Sequence, residues 1–225
     1  MIPPKAETID FMKRLVPAEY FPVFLEKCGI LMDFLYETNK TLNLTRIPEE
    51  SFWSLHVADS LAFAGEVSLD GKKLCDVGCG AGFPSLILAA AFPDLLVTAV
   101  DSTRKKVDFV AAAAAEKMDL PNLTAIHARA NELARKEDFK ASYDFVTARA
   151  VADTSVLIRE TANFLNHKHG LLCIYRTTEQ LERELPDLKQ RKLNYRTTPL
   201  FQLPEGAGSR LFLILPSQKS MTLRR

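Results

Sequence analysis

The residues with the clearest chemical potential form one short run, Asp76-Val77-Gly78-Cys79-Gly80-Ala81-Gly82-Phe83-Pro84. It follows an apolar stretch of strand character, Lys73 to Val77, and leads into a run of helical character. Glycine tolerates positive φ and puts no Cβ between the backbone and a ligand, so a turn of this composition can lie directly against one. The helix beyond it presents N–H groups without intrahelical partners. Spacing then narrows the ligand. The pattern is GxGxG, and Phe83 takes the place of the third glycine in the dinucleotide fingerprint GxGxxG, where close strand–helix packing is needed. Asp76 precedes the turn, where a carboxylate could meet a cationic group through the loop or a water. Asp101 ends the next strand, where its two oxygens could accept both hydroxyls of a ribose. Three readings compete: an S-adenosylmethionine pocket, a nicotinamide pocket, and a plain glycine-rich turn flanked by two surface acids. Phe83, and the lack of a following Tyr-xxx-Lys or other hydride partner, weigh for S-adenosyl-L-methionine and methyl transfer.

The elements that must carry this loop follow from periodicity. From Lys73 onward, strand candidates at 73–77, 95–100, 123–127, 143–148 and 170–176 alternate with helical stretches near 84–91, 103–117, 131–136, 152–165 and 178–189. Such alternation implies right-handed βαβ crossovers and a mostly parallel sheet covered on both faces. Two last runs, Tyr195 to Leu203 and Arg210 to Pro216, are joined through Pro204-Glu-Gly-Ala-Gly208 with no helix between, as in an antiparallel hairpin. The expected fold is therefore α/β, a class I methyltransferase (Rossmann-like) with a seven-stranded, mostly parallel sheet, an antiparallel C-terminal hairpin and an N-terminal helical extension. The expected division is 1–65 for the extension and 66–225 for the catalytic domain. Within the extension, Ala18 to Cys28 predicts a helix stopped by Gly29. Ile30 to Tyr36 predicts a second, and Ser51 to Ala64 a third with Ser51 as N-cap.

Composition excludes more than it assigns. The 29 Lys and Arg against 28 Asp and Glu leave a formal charge of +1, so nucleic-acid binding must rest on a local patch. The apolar runs are far shorter than a membrane span of roughly 20 residues. The four cysteines, Cys28, Cys75, Cys79 and Cys173, form no CxxC pair. With no secretory leader legible in Met1 to Asp10, a reduced, cytoplasmic protein without a metal is expected. The Asn39–Thr41 and Asn43–Thr45 sequons are read as accidental.

Several pieces taken together resemble the GidB/RsmG family of guanine-N7 methyltransferases of small-subunit (16S) ribosomal RNA. They are Asn43-Leu-Thr45, His56-Val-Ala-Asp59-Ser60, the glycine loop, Asp101-Ser102 and Ala148-Arg149-Ala150. The resemblance covers about Leu42 to Pro216. It implies that Gly78 and Phe83 line the cofactor pocket, joined there by Gly80 of the loop, and that Asp101 holds the ribose. It places Ala130 and Asn131 beside the adenine, and Arg149 at the mouth beside the methyl donor. It also implies small-subunit rRNA or a ribosomal particle as partner, for a chain expected to be monomeric. One departure stands out, Arg176-Thr177 where the family usually has Lys-Gly, since a planar guanidinium and a point ammonium do not substitute freely.

Guanine N7 carries a free lone pair, so its methylation needs placement rather than proton removal. In keeping with this, no nucleophile–base pair stands out, no catalytic base is assigned, and no Asn-Pro-Pro-Tyr motif of exocyclic-amine enzymes is present. Arg149 is the positioning candidate. Arg104, Lys105, Arg176 and Arg210 are the candidates for substrate contact, with Arg104-Lys105-Lys106 at the cofactor rim the best phosphate site. His167-Lys168-His169, Lys189 to Lys192 and Arg224-Arg225 read as solvated surface. His56 and Asp59 share a helix face, either as a satisfied core pair or as a clasp near the site. A methyltransferase acting on a small molecule or protein, and a non-catalytic RNA-binding module with a retained pocket, remain alternatives because fold does not set substrate.

Overall fold

The computed structural model describes residues 2–149 and 153–217. Ala150 and Arg224-Arg225 lie outside the described residues. Five strands, β1 (Lys73–Val77), β2 (Leu96–Asp101), β3 (Leu123–His127), β4 (Phe145–Arg149) and β5 (Leu171–Arg176), run parallel. Beyond β5 the long β8 (Ser209–Pro216) is antiparallel, and β6 (Arg196–Thr197) pairs with it in turn. The order is β3-β2-β1-β4-β5-β8-β6. The hairpin's first arm is broken in two around Pro199, which has no N–H to donate. Its second piece, β7 (Phe201–Gln202), also pairs with β8, which makes eight strands where seven were expected.

The burial pattern explains the layers. Along β8, Phe212 and Ile214 face one apolar cluster while Leu213 and Leu215 face another, the period-two alternation of a sheet covered on both sides. The first side carries α1 (Ala6–Lys13), α2 (Phe21–Leu42), α4 (Ser85–Ala91) and α5 (Arg104–Ala112). The second carries α6 (Ala130–Leu133), α7 (Thr154–Thr161) and α8 (Thr178–Gln190). Because the chain builds β1, β2 and β3 outward and then returns to place β4 on the other side of β1, a topological switch point lies between β1 and β4. Ligands of open α/β sheets bind there, outside the carboxyl ends of the strands.

The N-terminal segment departs from expectation. Gly29 does not end a helix: α2 runs through it, with Gly29 buried inside. Phe24, Cys28, Leu31, Met32 and Leu35 form a continuous buried stripe along α2, and this outweighs the cost of about 1 kcal/mol of a helical glycine. The helix stops instead at Asn43, in the left-handed conformation (φ 51°) that asparagine tolerates. The Ser51–Ala64 stretch is helical but irregular, a 3₁₀ turn (Glu49–Ser51), a π-helix (Phe52–Ala58), a short α3 (Asp59–Leu61) and a second 3₁₀ turn (Ala62–Gly65). Ser51 makes no side-chain cap. Residues of α1, α2 and the π-helix share one apolar cluster with sheet residues such as Phe145 and Phe212, so no separate core divides residues 1–65 from the rest. Among the described residues no helix is long and apolar enough to cross a membrane.

Candidate active site

The glycine loop leaves β1 with three left-handed glycines, Gly78 (φ 72°), Gly80 (φ 58°) and Gly82 (φ 88°). Two of them differ in kind. A Cβ on Gly80 would find only Gly78 O, at 3.9 Å, so that position faces open space. A Cβ on Gly82 would lie 2.4 Å from Leu86 Cδ1 and 3.3 Å from Val110 Cγ2, so Gly82 lets the turn pack closely on α4 and α5. The packing role of a third glycine is therefore met one position earlier than in the dinucleotide fingerprint, which frees Phe83 to carry a side chain.

Asp101, at the tip of β2, is pinned by backbone donors. Its Oδ2 accepts from Gly80 N (3.1 Å) and its Oδ1 from Thr103 N (2.8 Å). Each carboxylate oxygen keeps a second lone pair, enough for two hydroxyls. Beside it opens a cavity of about 370 Å³ bordered by Gly78, Asp101, Ser102, Ala130 and Asn131, with Glu160 at its edge. A larger cleft of about 920 Å³ adjoins it, and Gly78 and Lys106 border both. A nucleoside-sized cavity holding a diol acceptor, joined across a glycine turn to a wider cleft, fits S-adenosylmethionine with a second substrate.

The wider cleft is lined by a network of side chains from distant parts of the chain. Arg149, at the end of β4, donates from Nη1 to Asp59 Oδ2 (2.9 Å) and to the Leu55 carbonyl (3.1 Å). Its Nη2 approaches His56 Nδ1 at 3.4 Å. His56 stacks on Phe83, centroids 4.0 Å apart, and the Arg149 guanidinium lies 5.6 Å from the centroid of the same ring. Burial, and then the Arg149 cation, hold the His56 imidazole well below its usual range, so it is neutral. With Nδ1 accepting from Arg149, Nε2–H donates to Thr45 Oγ1 (3.1 Å), which also accepts from Ile47 N. Thr45 is held in turn by Asn39, whose Oδ1 accepts from the N–H groups of Leu44 and Thr45. Asp59 also meets Arg210 of β8, Nε to Oδ1 at 3.3 Å. His56 and Asp59 are thus a clasp at the site, and their partner is Arg149 rather than each other.

Three expectations need correction. Asp76 does not reach the cleft: it is buried, and its carboxylate accepts from the hydroxyls of Ser85 and Thr147, tying β1 to α4 and β4. Burial raises its pKa to about 6 against those hydrogen bonds. Arg176 borders the wider cleft, but its guanidinium is buried and turned to Glu184 of α8. Nε and Nη2 donate to the two carboxylate oxygens at 3.1 Å each, and Nη2 also contacts Thr154 Oγ1. It joins α7 to α8, a different task from gripping substrate. Arg104 and Lys105 are exposed and border neither cavity, whereas Lys106, one position on, borders both.

The other basic clusters lie elsewhere. His167 to His169 precede β5, at the opposite end of the sheet, and His169 meets Asp144 there (2.8 Å). Lys189 to Lys192 sit about 20 Å along α8 from its cleft end, and Arg191 pairs with Asp187. Sequence reasoning missed Arg46 and Tyr175, which also border the wider cleft. Tyr175 is buried and donates to the Ser60 carbonyl (3.1 Å), a role that only the strand order reveals.

Comparison with known proteins fits this geometry. The family model described as GidB, rRNA small subunit methyltransferase G, matches residues 25–202. The chain belongs to this family. Curated members named ribosomal RNA small subunit methyltransferase G include one from Mesoplasma florum, 36% identical over 199 residues, covering 87% of this chain and 82% of that protein. One from Lactococcus lactis subsp. cremoris is 38% identical over 161 residues, 70% of this chain and 66% of that protein. The chain thus spans about two thirds of the length of the Lactococcus relative. Among solved structures, a SAM-dependent O-methyltransferase from Thermotoga maritima superposes with a TM-score of 0.56 at 18% identity, covering 83% of this chain and 71% of that one. A SAM-dependent methyltransferase from Aquifex aeolicus gives 0.55 at 17% identity, over 73% of this chain and 93% of that one. These two share the fold. The cofactor of the family is S-adenosylmethionine.

Proposed function

We propose that this protein transfers the methyl group of S-adenosylmethionine to N7 of a guanine in small-subunit rRNA, free or within a ribosomal particle. When bound, the cofactor supplies a methyl group on a positively charged sulfur. The chain's own residues then divide the labour. Asp101, Gly78 and Gly80 hold the nucleoside, with Ala130 and Asn131 beside its base. Phe83, packed against His56 and Arg149, lines the wider cleft. Arg149 is held in one orientation by Leu55, Asp59 and His56, which suits a positioning role.

The observation that carries the reading is the composition of the wider cleft. Among the described residues it has cations in Arg46, Lys106, Arg149, Arg176 and Arg210, a single carboxylate in the buried Asp59, and no exposed general base. Its one imidazole is buried, neutral and already bonded at both nitrogens. A nucleophile that must lose a proton before attack would meet only the buried Asp59 carboxylate, already paired with Arg149 and Arg210, whereas guanine N7 needs only to be placed. The cations suit phosphate, so binding of RNA should weaken steeply with salt.

Purified protein incubated with labelled S-adenosylmethionine and small subunits lacking the modification tests this. Label recovered as N7-methylguanosine in the rRNA is the expected result. Label on an exocyclic nitrogen, in ribosomal protein or in no macromolecule refutes it.

A further inference from the structure

Resting on the guanine-N7 reading, a further question is how a guanine is told from other purines when the atom usually read is the one that reacts. N7 and O6 stand side by side on guanine, and an arginine normally takes both in a bidentate pair. That pair is excluded here, because an N–H on N7 would occupy the lone pair that must attack. A reader has to donate to O6 alone.

Five cations border the wider cleft, and their surroundings separate them. Arg176 is buried and paired with Glu184 through Nε and Nη2. Arg149 is committed: both hydrogens of Nη1 are taken by Leu55 O and Asp59, and Nη2 turns to His56. Lys106 stands at the junction of the two cavities, against the cofactor loop. Arg46 is exposed in the loop after α2, where a side chain must be ordered before it can select. Arg210 is less engaged than Arg149 and still restrained. Its Nη1 donates to Ser209 O (2.9 Å) and its Nε lies 3.3 Å from Asp59 Oδ1, while Nη2 has no partner among the described residues. Asp59 Oδ1 is itself buried and accepts no hydrogen bond among the described residues, so the ion contact holds the guanidinium without consuming its geometry. The side chain is mostly buried at the start of β8 and borders the cleft.

We infer that Arg210, held by Asp59 and the Ser209 carbonyl, donates from Nη2 to O6 of the target guanine and so sets the preference for a 6-oxopurine. Adenine presents an amino group at that place, which meets the guanidinium donor to donor. A single N–H directed at O6 also leaves N7 unhindered. Asp59 then has two tasks, fixing Arg149 and Arg210 at once, which explains a buried carboxylate shared by two arginines from different strands.

The test is a cycle between residue and atom. kcat/KM for N7 methylation is measured for wild type and Arg210→Ala on small-subunit rRNA carrying guanine, or 2-aminopurine in its place, which lacks O6. The altered basicity of N7 in 2-aminopurine affects both proteins and cancels. The expected result is that loss of O6 costs the wild type about ten- to a hundredfold more than it costs the variant, the worth of one hydrogen bond from a charged donor. An equal loss in both overturns the inference. Arg210→Met, which keeps the aliphatic length and removes every donor, gives the same comparison if alanine unsettles β8, and equal losses there overturn it too. If wild type fails to methylate N7 even of guanine, the proposed function falls instead, a distinct result.

Discussion

The two halves of the groove are built by different means. The smaller cavity is lined mainly by contiguous features: Gly78 with positive φ, a carboxylate pinned by two N–H groups, and the start of α6, all within residues 78–131. The wider cleft comes from side chains whose positions span Thr45 to Arg210, joined through Asp59 and His56. The first is a local device, fixed by the turns that flank it. The second exists only once the N-terminal segment, β4 and β8 have packed together. Binding the cofactor and directing the methyl group should therefore be separable by mutation, and the following changes test how cleanly.

The largest effect is expected from Asp101→Ala. It removes the diol acceptor together with the anchor of Gly80 and Thr103. S-adenosylmethionine and 5′-methylthioadenosine, which lacks the amino acid portion, should both bind about a thousandfold more weakly by calorimetry, the worth of two charged hydrogen bonds. Unchanged binding of either would remove Asp101 from the pocket. Gly82→Ala attacks the same half through its framework. A Cβ 2.4 Å from Leu86 in a left-handed backbone should cost about 3 kcal/mol in chemical denaturation. Gly80→Ala, with open space around it, should cost less, mainly for its backbone conformation.

Arg149→Lys probes the other half. An ammonium cannot meet Leu55, Asp59 and His56 together, so methyl transfer should fall about ten- to thirtyfold. Binding of 5′-methylthioadenosine should stay within about threefold of wild type. Equal loss in both assays would join the halves into one unit and break the distinction.

The smallest effect concerns Asp76 beneath both halves. Its folded pKa, raised to about 6 from 3.8 chiefly by burial, means that the folded state binds the extra proton. Its contribution is favourable at acid pH and is lost as pH rises through 6, so at neutral pH the ionised carboxylate costs stability. Asp76→Asn removes that dependence. Its stability relative to wild type should be higher at pH 7 than at pH 5 by about 1 kcal/mol in urea unfolding. A difference that does not change with pH would show that Asp76 titrates normally.

The same contrast explains what could be read from sequence. The parallel strands, the glycine loop and the acid ending β2 are contiguous signals, and the strands fall within a few residues of expectation. Asp101 takes the place expected of it for the same reason, since a strand end dictates where its last side chain lies. Gly29 misled because local punctuation was read without knowing that α2 would bury a stripe along its whole length. The π-helix at Phe52–Ala58 has no period to reveal it, yet it is what turns His56, Leu55 and Asp59 toward Arg149. Asp76 looked available because burial cannot be read from its position before a turn. Arg176 reads as a substrate candidate because its partner Glu184 lies eight residues on, about two turns along an element whose docking the sequence does not state. The spacing of His56 and Asp59 puts both on one helix face, but nothing local says that Arg149 is the partner of each.

The account turns on where the methyl group goes. Small-subunit rRNA from cells with and without this protein should be digested and its N7-methylguanosine located by chemical cleavage and mass spectrometry. One guanine methylated at N7 in the presence of the protein and unmodified in its absence is the predicted result. Identical N7 methylation in both, or a difference confined to another base or atom, would contradict it.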